Sequence, residues 1–315
     1  MLNRRHIRVK VMQSIYAMHQ SKSDDIEKQE KFLKFSLDSV LDLYLVVLSI
    51  FVEIHLAENT LLDLSSKMHL ASKEDKNPNK KFVNNIILQI FSESSQLSTT
   101  LTDRKIDYWN LHSDYIQIFL NEIKQSDLYA KYMSSSLNNF EEDQKFIVAI
   151  FTQIITPNDK FYDLLEDNKL TWIDDIPLVN TQILKELNSL KPTATAEKLK
   201  ISKCFKDIDD LEFATSLFKK TVLNEDVFEK EFSNKTPNWD ITRIPEIDTI
   251  LIKMGICEYL KFPQIPTKVT INEYIEIAKE YSTPNSAIFV NGIMNNILKE
   301  MIDNKKIIKI GKGLV

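Results

Sequence analysis

The chain has 315 residues, of which 43% are hydrophobic and 27% are charged, and its formal net charge is −5. This composition is typical of a soluble globular protein with a sizeable core, and it argues against a disordered chain. The four glycines all lie at or after Gly255, so the rest of the chain lacks the residue that phosphate-binding loops and tight hairpins need. The sequence therefore predicts an all-α fold without a nucleotide cofactor.

The first predicted helix, residues 3–20, begins with cations and has no acidic residue. The cations are Arg4, Arg5, Arg8 and Lys10. Basic residues at a helix N-terminus normally destabilise the helix slightly, because that end carries partial positive charge. Residues 1–23 hold five basic residues and no acid, so the remainder has a net charge of −10. A basic arm on an acidic body is typical of a protein that meets a polyanion or an acidic partner at one place, although a solvated terminus would have the same composition.

Two lines of side chains follow this helix. The first is an apolar stripe at helical spacing that predicts the face packed on the core: Ile7, Val11, Ser14, Ile15 and Met18. The second line is cationic in its first half and aromatic or flexible in its second: Arg5, Arg8, Met12, Tyr16 and His19. The second line suits contact with a partner, but a solvated flank of a packed helix would show the same spacing.

The longest apolar stretch, residues 40–57, contains Asp42, Glu53 and His55, so it indicates a buried helix rather than a membrane span. The N-terminus lacks the apolar segment and cleavage site of a secretory signal, and we therefore expect a cytoplasmic protein. The two cysteines and five histidines are scattered along the chain. Their spacing predicts neither a disulfide framework nor a metal site.

An internal repeat links residues 142–187 with residues 210–255. Its matched positions are 67 residues apart: Phe146, Phe151, Asp159, Phe161 and Trp172 correspond to Phe213, Phe218, Asp226, Phe228 and Trp239. Breaks rich in proline or polar residues separate the predicted helices, and the best linker candidate surrounds Pro192. Such a duplication usually reflects architecture rather than a second active site.

The C-terminal third carries a family resemblance. Its motifs are Trp239 and Arg243 ahead of a helix, a proline turn into "KVTINEYIEIAKEY" at 268–281, and "FVNG" at 289–292. In this order they resemble the end of the NusB family of transcription antitermination proteins. The N-terminal "RRHIRVKVMQSIYA" is similar to the arginine-rich first helix of that family.

The resemblance implies an all-α helical bundle of NusB type that is split along the chain. We expect residues 1–22 and 205–302 to form the NusB-like core. Residues 23–204 would be an inserted helical region containing the partial repeat at 142–187, and residues 303–315 would be a basic tail.

The resemblance also implies function: the family binds boxA-type single-stranded RNA of ribosomal RNA leader transcripts together with ribosomal protein NusE, as part of an RNA polymerase antitermination complex. It implies no enzymatic activity, no cofactor and no metal. Arg4, Arg5 and Arg8 match RNA-binding arginines, and His6 stands where a basic residue is common. Lys10 extends this group as the next cation of the helix.

Two further pairs follow from the resemblance. Phe289 matches an aromatic residue at the RNA surface, with Asn285 at the mouth of the same helix, whereas Tyr16 and Asp248 match positions facing NusE. Phe289 also begins an apolar stripe and could belong to the core. Asp248 lies in the first turn of a predicted helix, where a carboxylate favours the helix dipole.

Two other functions are compatible with an all-α chain of this kind. NusB-like domains precede the catalytic domain of certain ribosomal RNA cytosine methyltransferases, but this chain has no glycine-rich loop for a methyl donor and no convincing acid and base pair. A protein-only helical scaffold that has lost RNA binding stays open as the alternative.

Overall fold

The computed structural model describes residues 1–68, 72, 76–205, 207–233 and 244–314. Within these residues the chain forms fifteen α-helices and no strand, which confirms the predicted all-α class. The motif residues Trp239 and Arg243 lie outside the described residues. The helices are α1 (Arg4–Gln20), α2 (Ile26–Lys67), α3 (Ile86–Ser92), α4 (Ser95–Asp103), α5 (Tyr108–Leu111), α6 (Ser113–Gln125), α7 (Asp127–Ser134), α8 (Phe140–Ile150), α9 (Asp159–Asn168), α10 (Ile176–Ser189), α11 (Ile208–Val222), α12 (Glu225–Ser233), α13 (Glu246–Lys261), α14 (Thr267–Tyr281) and α15 (Ser286–Asp303).

The chain divides into two compact units. One comprises residues 38–204, and the other comprises residues 2–37 together with residues 205–315. The boundary between Leu37 and Asp38 falls inside the long helix α2. The second unit therefore joins the first helix of the chain to its C-terminal third.

In the unit of residues 38–204, helix α2 supplies an apolar core. By length and composition α2 is able to span a membrane, but 61% of its most apolar window is buried inside the protein, as in a core helix. Trp109 packs against it and donates its indole N–H to the Val46 carbonyl at 3.0 Å. This burial supports the interpretation of residues 40–57 as a core segment.

The repeated segments form the same order of helices. Helix α8 continues through a π-helical turn at Phe151–Ile155 and is followed by α9 and α10, as α11 is followed by α12 and α13. The matched phenylalanines are buried in both copies: Phe146 and Phe213, Phe151 and Phe218, and Phe161 and Phe228. The aromatic repeat thus marks equivalent core positions.

Helix α13 is the centre of the unit formed by residues 2–37 and 205–315. Helices α1, α11, α12, α14 and α15 all pack against it. Its residues Ile250–Tyr259 are buried without interruption, so α13 has no solvent face over this length. A helix surrounded in this way is apolar on all sides except where a buried polar group finds a partner.

Helix α1 packs on α11, α13 and α14. Asn3 caps its first turn by accepting a hydrogen bond from the His6 N–H at 3.0 Å. The predicted core stripe is confirmed, because each of its members is buried: Ile7, Val11, Ser14, Ile15 and Met18. The apolar face of α1 is therefore part of the core of this unit.

A buried ion pair joins α1 to α13. Arg8, with 2% of its side chain exposed, donates from Nε and Nη2 to the two carboxylate oxygens of Glu258, which is 0% exposed, at 2.6 and 3.0 Å. Thr270 and Tyr274 of α14 donate their hydroxyls to the same carboxylate at 2.9 and 2.8 Å. Burial acts to lower the pKa of Arg8, but Glu258 outweighs this effect and raises it. Each oxygen of Glu258 thus accepts two hydrogen bonds.

Arg8→Met should lower the free energy of unfolding by about 3–5 kcal/mol, because Glu258 would be left in the core without its cation. Urea denaturation at pH 7, followed by circular dichroism, measures the change. Arg4→Met is the matched control, since Arg4 is 43% exposed, and it should cost about 1 kcal/mol or less. Equal losses in the two variants would contradict this role for Arg8.

Candidate functional site

The first turns of α1 place three arginines in different surroundings. Arg8 is buried, whereas the side chains of Arg4 and Arg5 are 43% and 41% exposed. Arg4 Nε lies 3.1 Å from Asp210 Oδ1 of α11, and its guanidinium lies 4.4 Å from the centre of the Phe213 ring. The carboxylate and the ring together hold Arg4 at the surface of α11.

Arg5 is held by α14. Its Nε and Nη2 donate to the two carboxylate oxygens of Glu273 at 2.9 and 3.1 Å. The hydrogen bond that Arg5 donates to Glu273 raises the pKa of Arg5. Glu273 also lies 3.9 Å from Arg8 Nη1, so one carboxylate is shared between an exposed and a buried arginine.

These ion pairs leave donors for a ligand. A guanidinium has five N–H donors, of which Arg4 uses one and Arg5 uses two in the contacts above. The fixed, planar groups suit bidentate recognition of phosphate or carboxylate oxygens. Arg4 and Arg5 can therefore bind an anionic ligand without giving up their intramolecular partners.

A groove of about 740 Å³ lies beside the two arginines. Its charged side chains are Arg4, Arg5, Arg8, Lys312, Glu273 and Glu280. A cavity of about 600 Å³ shares Arg4 and Lys312 with this groove and adds Lys261 and Asp209. The N-terminus of α1, the start of α14 and the C-terminal tail thus meet at one surface.

His6 lines the groove but adds no charge near neutral pH. Burial lowers its pKa, and the neighbouring charges of Arg5 and Lys10 lower it further. Its Nδ1 atom is buried and has no hydrogen-bond partner among the described residues. His6 therefore does not replace the basic residue expected at this position.

Three predicted surface residues lie in the core instead. Arg8 and Lys10 are each 2% exposed and Asp248 is 1% exposed. The two cations are covered because α1 packs on three helices, so more than its apolar stripe is buried. Asp248 is covered because it belongs to the central helix α13. Lys10 and Asp248 present no surface to a ligand, and Arg8 borders the groove with only 2% of its surface exposed, contrary to the expectation from position.

Asn285 and Phe289 lie at the start of α15. Asn285 is exposed and Phe289 is half-buried, while the stripe behind Phe289 is buried: Ile293, Ile297 and Met301. Neither Asn285 nor Phe289 is among the residues that line the groove beside Arg4 and Arg5. The structure therefore does not place these two residues in the same groove as the arginines.

The second half of α1 carries an exposed aromatic and a charged cluster. Tyr16 is 39% exposed, but Met12 on the same predicted line is buried. His19 places Nε2 3.0 Å from Glu225 and Nδ1 3.0 Å from Glu246. Both ring nitrogens must donate to serve two carboxylates, and the hydrogen bond with Glu225 is the main cause of a raised pKa for His19.

The acidic partners of the arginines were not identified from the sequence. Asp210, Glu258 and Glu273 each lie more than 200 residues along the chain from the arginine that they bind. A local signal did exist in α14, where Thr270, Glu273 and Tyr274 share one face at helical spacing. That pattern shows a polar face, but it does not identify the helix that will meet it.

Part of the chain matches a known protein family. The model of the NusB family matches residues 178–299. The chain is 41% identical over 104 residues to the transcription antitermination protein NusB of Salinibacter ruber, covering 33% of this chain and 65% of that protein. It is 41% identical over 98 residues to NusB of Thermodesulfovibrio yellowstonii, covering 31% and 65%, and 36% identical over 109 residues to NusB of Chloroherpeton thalassium, covering 35% and 52%.

The chain spans between about half and just under two thirds of the length of these relatives. No solved structure matches it significantly. The matched segment covers helices α11–α15 except for the end of α15, together with most of α10. The chain thus contains a NusB family domain at residues 178–299, in agreement with the resemblance seen in its motifs.

Proposed function

We propose that this protein is an RNA-binding transcription antitermination factor. The observation that carries the proposal is that Arg4 and Arg5 stand exposed beside a groove in the compact unit that contains most of the NusB family domain. The curated relatives are named as transcription antitermination proteins. NusB antitermination factors are not enzymes, which agrees with the predicted lack of catalytic residues.

The domain boundaries belong to the same proposal. Residues 1–22 and 205–302 would form the family core, residues 23–204 an insertion and residues 303–315 a basic tail. The packing of α1 on α11, α13 and α14 supports a single core formed by residues 1–22 and 205–302. The core would then present the arginines of α1 beside the C-terminal helices.

The ligand that we propose for this groove is a single-stranded RNA. Guanidinium groups held by carboxylates supply directed phosphate contacts, and the groove volume of about 740 Å³ exceeds what a single ion needs. By family resemblance we propose boxA-type RNA of ribosomal RNA leader transcripts. The protein would act in the cytoplasm with an RNA polymerase antitermination complex.

The proposed protein partner is ribosomal protein NusE, and Tyr16 is the residue of α1 best placed for it. Tyr16 is exposed, whereas Asp248, the other expected contact, is buried. Tyr16 lies eleven residues beyond Arg5, or about 17 Å along a helix at 1.5 Å per residue. A protein and an RNA could therefore occupy α1 at separate points.

Arg4→Gln combined with Arg5→Gln should weaken binding of a boxA-type RNA by about tenfold or more. The slope of log affinity against log salt should decrease by about 1.4, since each phosphate contact with a single strand contributes about 0.7. Fluorescence anisotropy at several salt concentrations measures both quantities. Lys230→Gln with Lys299→Gln is the control, because both lysines are exposed and lie outside the groove.

The control pair removes the same net charge and should leave the slope within experimental error. If the arginine pair and the lysine pair had equal effects, RNA binding would not be located at α1. If the unsubstituted protein did not bind RNA, the protein-only scaffold would be the better description.

Tyr16→Asp should weaken NusE binding by at least about thirtyfold, because a buried interface tyrosine often contributes about 2 kcal/mol. Binding of RNA alone should change by less than about twofold, since Tyr16 lies away from the groove residues. Isothermal titration with NusE and anisotropy with RNA provide the two values. Tyr16→Phe is the matched control; a joint loss of stability and of both affinities in Tyr16→Asp would show a structural role instead.

A further inference from the structure

The C-terminal tail is anchored to the end of α13. Lys309 donates from Nζ to the main-chain carbonyls of Glu258 and Phe262 at 3.2 and 3.0 Å. These carbonyls also accept the main-chain N–H groups of Phe262 and Ile265 at 3.3 and 3.1 Å. The negative end of the helix dipole favours a cation at this position. The main-chain N–H of Ile310 donates to the Pro263 carbonyl at 3.1 Å. Three hydrogen bonds therefore hold residues 309–310 against the turn that connects α13 and α14.

The two glycines that follow fit this anchored conformation. Gly311 has a φ of +54°, in the left-handed region that favours glycine. A Cβ at Gly313 would lie 2.1 Å from the Pro263 carbonyl oxygen, a backbone atom, so no side chain fits there without moving the tail. Two of the four glycines in the chain thus lie at positions where this conformation requires glycine. The tail sequence therefore favours the conformation in which residues 309–313 pack against the turn at Pro263.

This conformation of the tail brings one lysine to the groove. Lys312 stands between the two glycines, is exposed, and lines both the groove beside Arg4 and Arg5 and the adjoining cavity. Arg4 is paired with Asp210 and Arg5 with Glu273. Among the described residues, Lys312 has no carboxylate partner within 4.0 Å, so its charge is the least compensated in the groove.

We propose that Lys312 is a third phosphate-binding residue of this groove and that the anchored tail is the device that positions it. The inference rests on the proposed RNA-binding function. The guanidinium groups of Arg4 and Arg5, each paired with a carboxylate, would orient the bound RNA strand. The ammonium group of Lys312 has no such partner, so it adds net positive charge to the groove of a protein that is acidic overall. Phosphate binding by Lys312 does not depend on apolar contacts with the RNA bases.

The test is RNA binding by Lys312→Gln beside Lys305→Gln, measured by anisotropy with a labelled boxA-type RNA over a series of salt concentrations. Lys305 belongs to the same tail and is exposed, but it does not line the groove. Lys312→Gln should weaken binding about fivefold and reduce the salt slope by about 0.7. Lys305→Gln should change neither by a measurable amount, and Lys312→Arg should retain both.

A second variant tests the positioning. Gly313→Val should displace the tail and reproduce the loss seen in Lys312→Gln, while circular dichroism reports an unchanged helix content. If Gly313→Val bound RNA normally while Lys312→Gln did not, positioning by the tail would be wrong.

Two results would overturn the inference while the proposed function stands. If the arginine variant of α1 lost RNA binding but Lys312→Gln behaved like Lys305→Gln, Lys312 would not contact the ligand. If Lys312→Gln or Gly313→Val bound RNA more tightly, the tail would be a cover over the groove. An unsubstituted protein that did not bind RNA would remove the proposed function itself.

Discussion

The buried pair of Arg8 and Glu258 is the constraint on which the candidate site depends. The Glu258 carboxylate receives Arg8 from α1 and the hydroxyls of Thr270 and Tyr274 from α14, while its main-chain carbonyl accepts from Lys309 of the tail. The three segments that line the groove are thus fixed around one residue of the central helix. A shift of α1 by one residue would remove Arg8 from its partner and would move Arg4 and Arg5 out of the groove.

This arrangement explains how α1 tolerates cations at its N-terminus. The unfavourable interaction with the helix dipole amounts to a few tenths of a kcal/mol per exposed charge. It is offset by Asp210, Glu258 and Glu273, which approach from three other helices. A buried ion pair adds little net stability compared with an apolar pair of the same shape, but breaking it by removing one partner is costly. The pairing therefore favours one register of α1 over others.

The sequence was sufficient for the fold class and for the apolar face of α1. Helical periodicity and the scarcity of glycine predicted an all-α protein, and Ile7, Val11 and Ile15 are buried as expected. The motifs at both ends of the chain indicated the family whose model matches residues 178–299. The helix class, the apolar face of α1 and the family motifs all depend on the spacing of residues close together in the chain, and this spacing can be read from a single sequence.

The sequence did not show which of the charged residues are buried and which are exposed. Periodicity shows which residues share a face of a helix, but it does not show how many helices will cover that face. Arg8 and Lys10 were grouped with Arg4 and Arg5 because all four are cations near one helix end, yet the first two are buried. The sequence predicted a basic tail at residues 303–315, but the place of Lys312 in the groove depends on Gly311, Gly313 and the turn at Pro263.

The central claim is that Arg8 positions α1 while the exposed arginines bind the RNA. The most direct test is the RNA affinity and salt slope of the variant Arg8→Met with Glu258→Gln, which replaces the buried ion pair by a neutral one. The glutamine amide oxygen accepts from one of the two hydroxyls, that of Thr270 or Tyr274, and its NH2 group donates to the other. Our account predicts a folded protein whose salt slope is unchanged and whose affinity lies within about threefold of the original, because no phosphate contact has been removed. A folded variant whose slope fell by about 0.7 would show that Arg8 itself contacts the RNA, and would contradict the account.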